Sequence, residues 1–222
     1  MDRCGVEKHG FMLVVDIIDQ ATRRQLLEAI GDIDVAGRRD MLAVSAVASL
    51  ARSPKLLEVV RVYTGGIPRP VRAIWFNKSA GANWLVAWHQ DLAIAVRERV
   101  DVPGFNAWSL KEGVPHVQPP VEVLQRMLTV RIHLDDADAE NGALRVISGT
   151  HAMGRLDAEQ ILRLRDERGE TLCAAAGGDA LLMRPLLLHA SGRSASERPR
   201  RVLHIEYAAE ELPGGLAWQE PG

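Results

Sequence analysis

A chain of 222 residues, 47% apolar and 25% charged with a formal net charge of -2, has enough apolar material to bury a core within one folding unit. Its 27 Lys and Arg are interspersed with 29 Asp and Glu, so no basic block points to nucleic acid or to an anionic membrane. Cys4 and Cys173 form no CxxC, the first ten residues lack an apolar signal core, and no apolar run nears the roughly 20 residues that span a bilayer; a thiolate metal site, a disulfide framework and a membrane span are excluded, and a cytoplasmic location is expected.

Residues 11–15 read as a short strand. From 21 to 30 the spacing of Leu26, Leu27 and Ile30 among polar residues predicts an amphipathic helix, with Asp19 as its cap. A second helical region is expected from about 39 to 63, split at Ser53-Pro54, where Ser53 can cap and Pro54 can occupy the first helical position. Gly65 and Gly66 then end the helical third.

Short β-like runs follow. Residues 71–76 form a strand candidate, 77–81 a polar turn, and 83–96 an apolar, aromatic and β-branched strand that carries His89 and Asp91. A loop-rich insertion spans 101–120, long enough to serve as a lid or substrate loop. Residues 128–134 alternate, with Leu128, Val130, Ile132 and Leu134 on one face and Thr129, Arg131 and His133 on the other. A turn at 135–142, a strand at 143–147 and a charged helix at 155–169 built on Leu156, Ile161, Leu162 and Leu164 come next. Gly177-Gly178-Asp179 turns the chain into a strand at 180–183, Pro185 breaks it, and 186–189 follows. The last strand, 201–208, alternates Val202, His204 and Glu206 against Leu203, Ile205 and Tyr207. The expected fold is mainly β with N-terminal helices: 1–222 forms a single domain, 1–66 a helical support region and 67–210 a β-sandwich or jelly-roll core.

The chemistry centres on Trp88-His89-Gln90-Asp91. Side chains two apart on a strand share a face, so His89 and Asp91 can converge on one ion. A second His would complete the two-His, one-carboxylate set that leaves half of a ferrous ion's coordination open. His189 is the best candidate. His133, His151 and His204 compete with it: His133 can line the cavity, His151 sits at a turn, and His204 reads equally well as a structural histidine. After His189, Ser191 and the run Arg198-Pro199-Arg200-Arg201 can bring a hydroxyl and a guanidinium to the same cavity, a fork that suits a carboxylate. Arg131 divides evenly between a second anion contact and a buried ion pair with Asp135, Asp136 or a carboxylate elsewhere. Trp84 and Trp88 face away from the ligands and read as core. Trp108, His116 and Gln118 in the long loop, together with Asn83, Lys78 and His133, are the candidate substrate contacts. Asn141-Gly142 is a tight turn.

Three groups of residues together resemble the phytanoyl-CoA dioxygenase family of iron(II)- and 2-oxoglutarate-dependent oxygenases. They are His89-x-Asp91; Leu134-Asp135-Asp136 with the run from Glu140 to His151; and Gly178-Asp179-Ala180 to His189-Ala190-Ser191 followed by Arg200. The likeness runs from about residue 8 to 208. It implies a double-stranded β-helix of the jelly-roll, cupin-like kind, iron(II) on His89, Asp91 and His189, and 2-oxoglutarate held by Arg200, eleven residues after the distal His, with Ser191 and Arg131 beside it. It implies an oxygenase that uses dioxygen to hydroxylate a small organic molecule, releasing succinate and CO2. Halogenation is disfavoured because Asp91 occupies the place a halide would need. Ser148 stands where the family often has Pro, Arg131 where many members have Trp, and the chain is short for the family, which argues against a coenzyme-A thioester. Two other readings use the same His, Asp and His: a zinc hydrolase and a non-catalytic metal- or ligand-binding protein. A small-molecule partner is expected, with no nucleic acid or membrane, in a monomer or homodimer.

Overall fold

The computed structural model describes residues 4–33, 35–79 and 83–219. Its N-terminal elements are α1 (Cys4–His9), β1 (Phe11–Val14), α2 (Gln20–Ile30), β2 (Gly37–Arg38), α3 (Ser45–Ala51) and α4 (Pro54–Thr64). The Asp19 carboxylate accepts from Thr22 N at 2.8 Å and Ser53 Oγ from Leu56 N, so both expected caps form, and Gly65 closes α4 in the left-handed region that glycine adopts freely. The first half of the split helical region begins only at Ser45: residues 37–43 form a short edge strand and a single 3-10 turn instead.

The remaining elements are β3 (Arg69–Lys78), β4 (Val86–His89), β5 (Ile94–Ala95), β6 (Asn106–Lys111), β7 (Val114–Gln118), α5 (Val121–Arg126), β8 (Leu128–His133), β9 (Leu144–Val146), α6 (Ala158–Glu167), β10 (Thr171–Cys173), β11 (Ala180–Met183), β12 (His189–Ser191) and β13 (Arg200–Ala208). A six-stranded antiparallel sheet runs β1-β11-β8-β13-β3-β2, and a four-stranded sheet runs β10-β9-β12-β4. Among the described residues no helix is long and apolar enough to cross a membrane.

Alternation along the central strands decides what lies on each side of the large sheet. Leu128, Val130, Ile132, Leu203, Ile205 and Tyr207 point outward into a core completed by Leu26, Val47, Leu56 and Val60 from the helices. Tyr207 adds a bond from its hydroxyl to the Ala51 carbonyl at 2.9 Å. The opposite face is polar yet buried. Register pairs His204 with Arg131 and Ile74, Val202 with His133 and Phe76, and Arg200 with Lys78. Arg131, His133, Lys78, Arg200, His204 and Glu206 therefore form one inward-facing row, each at most 5% exposed.

Several expected elements differ. The strand predicted over 83–96 ends at His89, because Asp91 N bonds the Pro185 carbonyl at 2.9 Å and the chain then crosses to β5, which belongs to another sheet. The region 101–120 is not a loop throughout: β6 and β7 pair as a hairpin and, with β5, make a third, three-stranded sheet. Its alternation is masked by a register shift between Asn106 and Ser109 and by Pro115 within β7. Helix α5 lies where no helix was expected. Lys78 ends β3 and is not in a turn, and Leu162 on α6 is exposed.

Candidate active site

His89 and His189 meet because β4 and β12 are neighbours and these two residues are register partners. Their ring centroids lie 4.2 Å apart. Asp91 follows at the strand end, positioned by Gln90, whose side chain turns the opposite way. The Gln90 amide nitrogen donates to the Leu186 carbonyl at 2.7 Å and the Gly154 carbonyl at 2.8 Å, and its oxygen accepts from Leu156 N at 2.8 Å. The Asp91 carboxylate then sits 3.9 Å from His89 Nε2 and 3.8 Å from His189 Nε2. Ligand atoms from the three residues all lie within 4.8 Å of one another.

The donor set suits a metal ion. In both histidines Nδ1 lies 2.8 Å from the carbonyl two residues earlier, Ala87 and Leu187. A carbonyl can only accept, so Nδ1 carries the proton and Nε2 keeps its lone pair. Burial holds His189 down at about 4, against the pull of Asp91, which keeps the ring neutral. Burial pushes the Asp91 carboxyl up, but His189, His204, His89 and Arg72 together outweigh this and keep it ionised. Its Oδ2 is buried with no hydrogen-bond partner. Two imidazole nitrogens and one unsatisfied carboxylate match the open ferrous set.

His204 is not a fourth ligand. Arg131 Nη1 lies 2.9 Å from His204 Nδ1, and a guanidinium can only donate, so the imidazole proton is on Nε2. That N–H faces Glu206 Oε1 at 3.4 Å and Asp91 Oδ2 at 3.9 Å. Glu206 is held in turn by the Arg72 guanidinium, Nε to Oε2 at 2.9 Å.

Further along β13 the cavity becomes cationic. Arg200 is 2% exposed, and its Nε and Nη1 have no partner. Burial and the neighbouring Arg131 pull it down to about 9. Lys78, fully buried, is pulled to about 7 by burial and by Arg200, Arg131 and Arg145. Arg131 Nε and both ring nitrogens of His133 are also unpartnered. Among the described residues none of these three cations has an acidic hydrogen-bond partner. A cavity that gathers such groups is built for an anion.

Among the expected positions, His89, Asp91, His189, Arg200, Arg131, His133 and Lys78 gather into one cluster. Ser191 is there too, but its hydroxyl donates to the Gly142 carbonyl at 2.8 Å and accepts from Lys78 Nζ at 2.7 Å, so it seats the lysine rather than offering a free donor. Lys78 therefore stands with Arg200 and Arg131, its ammonium held by Ser191. Asn83 is not a cavity residue: its side chain forms a reciprocal pair with the backbone of Ser194, at 2.7 Å in each direction. Arg131 does not pair with Asp135, which holds Arg201 through two bonds of 2.7 Å, nor with Asp136, which accepts from Gly177 N. Trp88 packs as core against Leu188, whereas Trp84 flanks the cavity, its ring 5.5 Å from Lys78 Nζ. Trp108 stacks under Arg99, and Gln118 stands opposite Asn106 in the hairpin. His151 bonds the Glu7 carbonyl, remote from the three ligands. His116, on the hairpin, is buried beside Arg72 and Glu206. The residues not singled out from sequence are Arg72, Glu206 and Gln90; the polar alternation of residues 202, 204 and 206 was the available signal for Glu206.

A model of the phytanoyl-CoA dioxygenase family matches residues 6–202. No curated protein matches the chain in sequence. Among solved structures, AviO1 from Streptomyces viridochromogenes Tue57 is 19% identical, with 96% of this chain and 97% of that one covered and a TM-score of 0.68. EctD from S. alaskensis, solved with 2-oxoglutarate and 5-hydroxyectoine, is 19% identical over 93% of this chain and 74% of that one, with a TM-score of 0.71. HygX from Streptomyces hygroscopicus, with nickel and 2-oxoglutarate bound, is 19% identical over 96% and 92%, with a TM-score of 0.66. At these identities the likeness establishes the fold, a double-stranded β-helix.

Proposed function

The chain belongs to the phytanoyl-CoA dioxygenase family of non-haem iron(II)- and 2-oxoglutarate-dependent oxygenases, and from that premise we propose that it hydroxylates a carbon of a small organic molecule, with 2-oxoglutarate converted to succinate and CO2. His89, Asp91 and His189 would hold the iron. Arg200, Lys78 and Arg131 would hold the dicarboxylate. When bound, iron and 2-oxoglutarate supply the activation of dioxygen that oxidises the substrate; the fold contributes orientation and a dry cavity.

The observation that carries this reading is a set of buried cations, without acidic hydrogen-bond partners among the described residues, on the same inward sheet face as His204, which lies 3.9 Å from Asp91. Arg200 offers a buried guanidinium whose Nε and Nη1 donors are unpartnered, a charge that suits a terminal carboxylate. Lys78 brings a third donor, fixed by Ser191 and the Gly192 carbonyl. Arriving charge of the opposite sign relieves the repulsion among Arg131, Arg200 and Lys78. At the other end, the His204 N–H lies 3.4 Å from Glu206 Oε1 and 3.9 Å from Asp91 Oδ2. A zinc hydrolase would give the buried cations no role.

Succinate formation tests the proposal. With iron(II), 2-oxoglutarate and air the protein should produce succinate above an iron-free control; production equal to that control would refute it.

A further inference from the structure

On the far side of the triad from Arg200 lies a recess of about 300 Å³, bordered by Leu42, Val71, Arg72, Ala95, Lys111 and His116. Its place follows from the strand register. Arg200 pairs with Lys78, His204 with Ile74 and Glu206 with Arg72, so the dicarboxylate end, the Asp91 end and the recess succeed one another along β13 and β3. The recess begins about 7 Å beyond His204, two strand residues on. Its volume is at the small end of the range for ligand pockets.

Two groups there have no hydrogen-bond partner for the atom that faces the recess. His116 is 1% exposed; its Nδ1 lies 2.9 Å from the Val114 carbonyl and so carries the proton, which leaves Nε2 as a buried acceptor with nothing to accept from. The Lys111 ammonium lies close enough to Arg72 and Arg39 to be repelled by both, yet those two arginines have carboxylates of their own, Glu206 and Glu112. Asp91 and Glu206 attract Lys111 at longer range, but among the described residues no carboxylate hydrogen-bonds it. Asp40, also on the lining, is exposed at the rim. One cation without a hydrogen-bonded carboxylate and one unpartnered buried acceptor border a partly apolar space formed by Leu42, Val71 and Ala95.

We propose that this recess binds the molecule to be oxidised, and that the molecule is a small carboxylic acid bearing a hydroxyl or amino group, its carboxylate on Lys111 and its O–H or N–H donating to His116 Nε2. The assignment rests on the oxygenase reading and narrows its substrate class. It also gives the β6–β7 hairpin a purpose, since both anchors stand on it.

The test uses the iron(II)- and 2-oxoglutarate-loaded protein without oxygen, titrated calorimetrically with 4-hydroxybutyrate, β-alanine and L-proline and with the carboxamide of each. At least one acid should bind, about tenfold or more tighter than its amide, the effect of a hydrogen-bonded charge pair. Lys111→Gln should close that gap and Lys111→Arg should keep it, while His116→Phe should weaken acid and amide alike. Absence of binding by all three acids, equal binding of acid and amide, or a gap that survives Lys111→Gln would overturn the proposal. Succinate production by the wild-type protein is measured separately: its absence would bring down the oxygenase reading and the recess with it, whereas its presence without acid binding would bring down the recess alone.

Discussion

Replacing Arg200 by Met separates two effects that a binding residue usually confounds. In the ligand-free protein Arg200 is a buried charge without an acidic partner, and its fall from an ordinary 12.5 to about 9 corresponds to roughly 5 kcal/mol against the charged form, at 1.36 kcal/mol per tenfold. Methionine keeps an apolar stem of similar length and removes that charge, an exchange that stabilises when a buried ion lacks compensation. Recovery of only one fifth of the penalty would raise the melting temperature of a chain this size by about 2–4 °C. Binding moves in the other direction. Loss of its charge-assisted contact, at about 1.5–3 kcal/mol for a hydrogen bond to a charged group, weakens 2-oxoglutarate by about 10- to 10²-fold. Thermal melting with and without 2-oxoglutarate reads both effects in one experiment. Arg200→Met should melt higher than wild type alone and show almost none of the wild-type shift on adding 2-oxoglutarate. A variant that melts lower without ligand, or that keeps the wild-type dose response, would refute the assignment of Arg200 to an anion.

Gln90→Met should lower the melting temperature by about 6–12 °C, since three backbone groups lose their partner at about 1 kcal/mol or more each, and differential scanning calorimetry should record it. Gly142→Ala should destabilise by about 2–4 kcal/mol in chemical denaturation, because residue 142 has a φ of +76° and an added Cβ would lie 2.6 Å from the Gly192 oxygen and 3.2 Å from Lys78 Nζ. Lys78 predicts a pH dependence. Its folded value of about 7 lies below the ordinary 10.5, so between these the unfolded chain holds a proton that the folded chain has released, and ligand-free stability rises with pH across that window. Subtracting the stability profile of Lys78→Met from that of wild type should leave a difference that climbs from pH 7 towards 10 and is flat below 7; a flat difference throughout would contradict the burial of the ammonium.

The parts of this fold that local chemistry dictates were readable in the sequence. Asp19 and Ser53 announce their helices, and the two-residue alternation in 128–134 and 201–208 marks which side of each central strand meets the helices. The cluster of His89, Asp91 and His189 was readable because two of them lie two residues apart and the third is followed by a strand that begins with Arg200. What the sequence hid depends on contacts between distant segments. Asp91 lies past the end of β4 because of a bond to Pro185, nearly a hundred residues on. Lys78 looked like a turn residue, since nothing in its neighbours signals that β3 continues inward to meet β13. Ser191 showed a hydroxyl but not where its proton goes; that is settled by the Gly142 carbonyl. The β6–β7 hairpin was disguised by its register shift and by Pro115, so the segment read as a loop.

The central claim, that His89, Asp91 and His189 hold iron beside a 2-oxoglutarate cavity, is tested most directly by release of labelled CO2 from 2-oxoglutarate carrying the label in the carboxyl next to the keto group. Release from the wild-type protein should require both iron(II) and oxygen, and it should vanish in Asp91→Ala, whose histidines and cation cluster remain. Release that persists without iron, or that Asp91→Ala retains at the wild-type rate, would contradict the account.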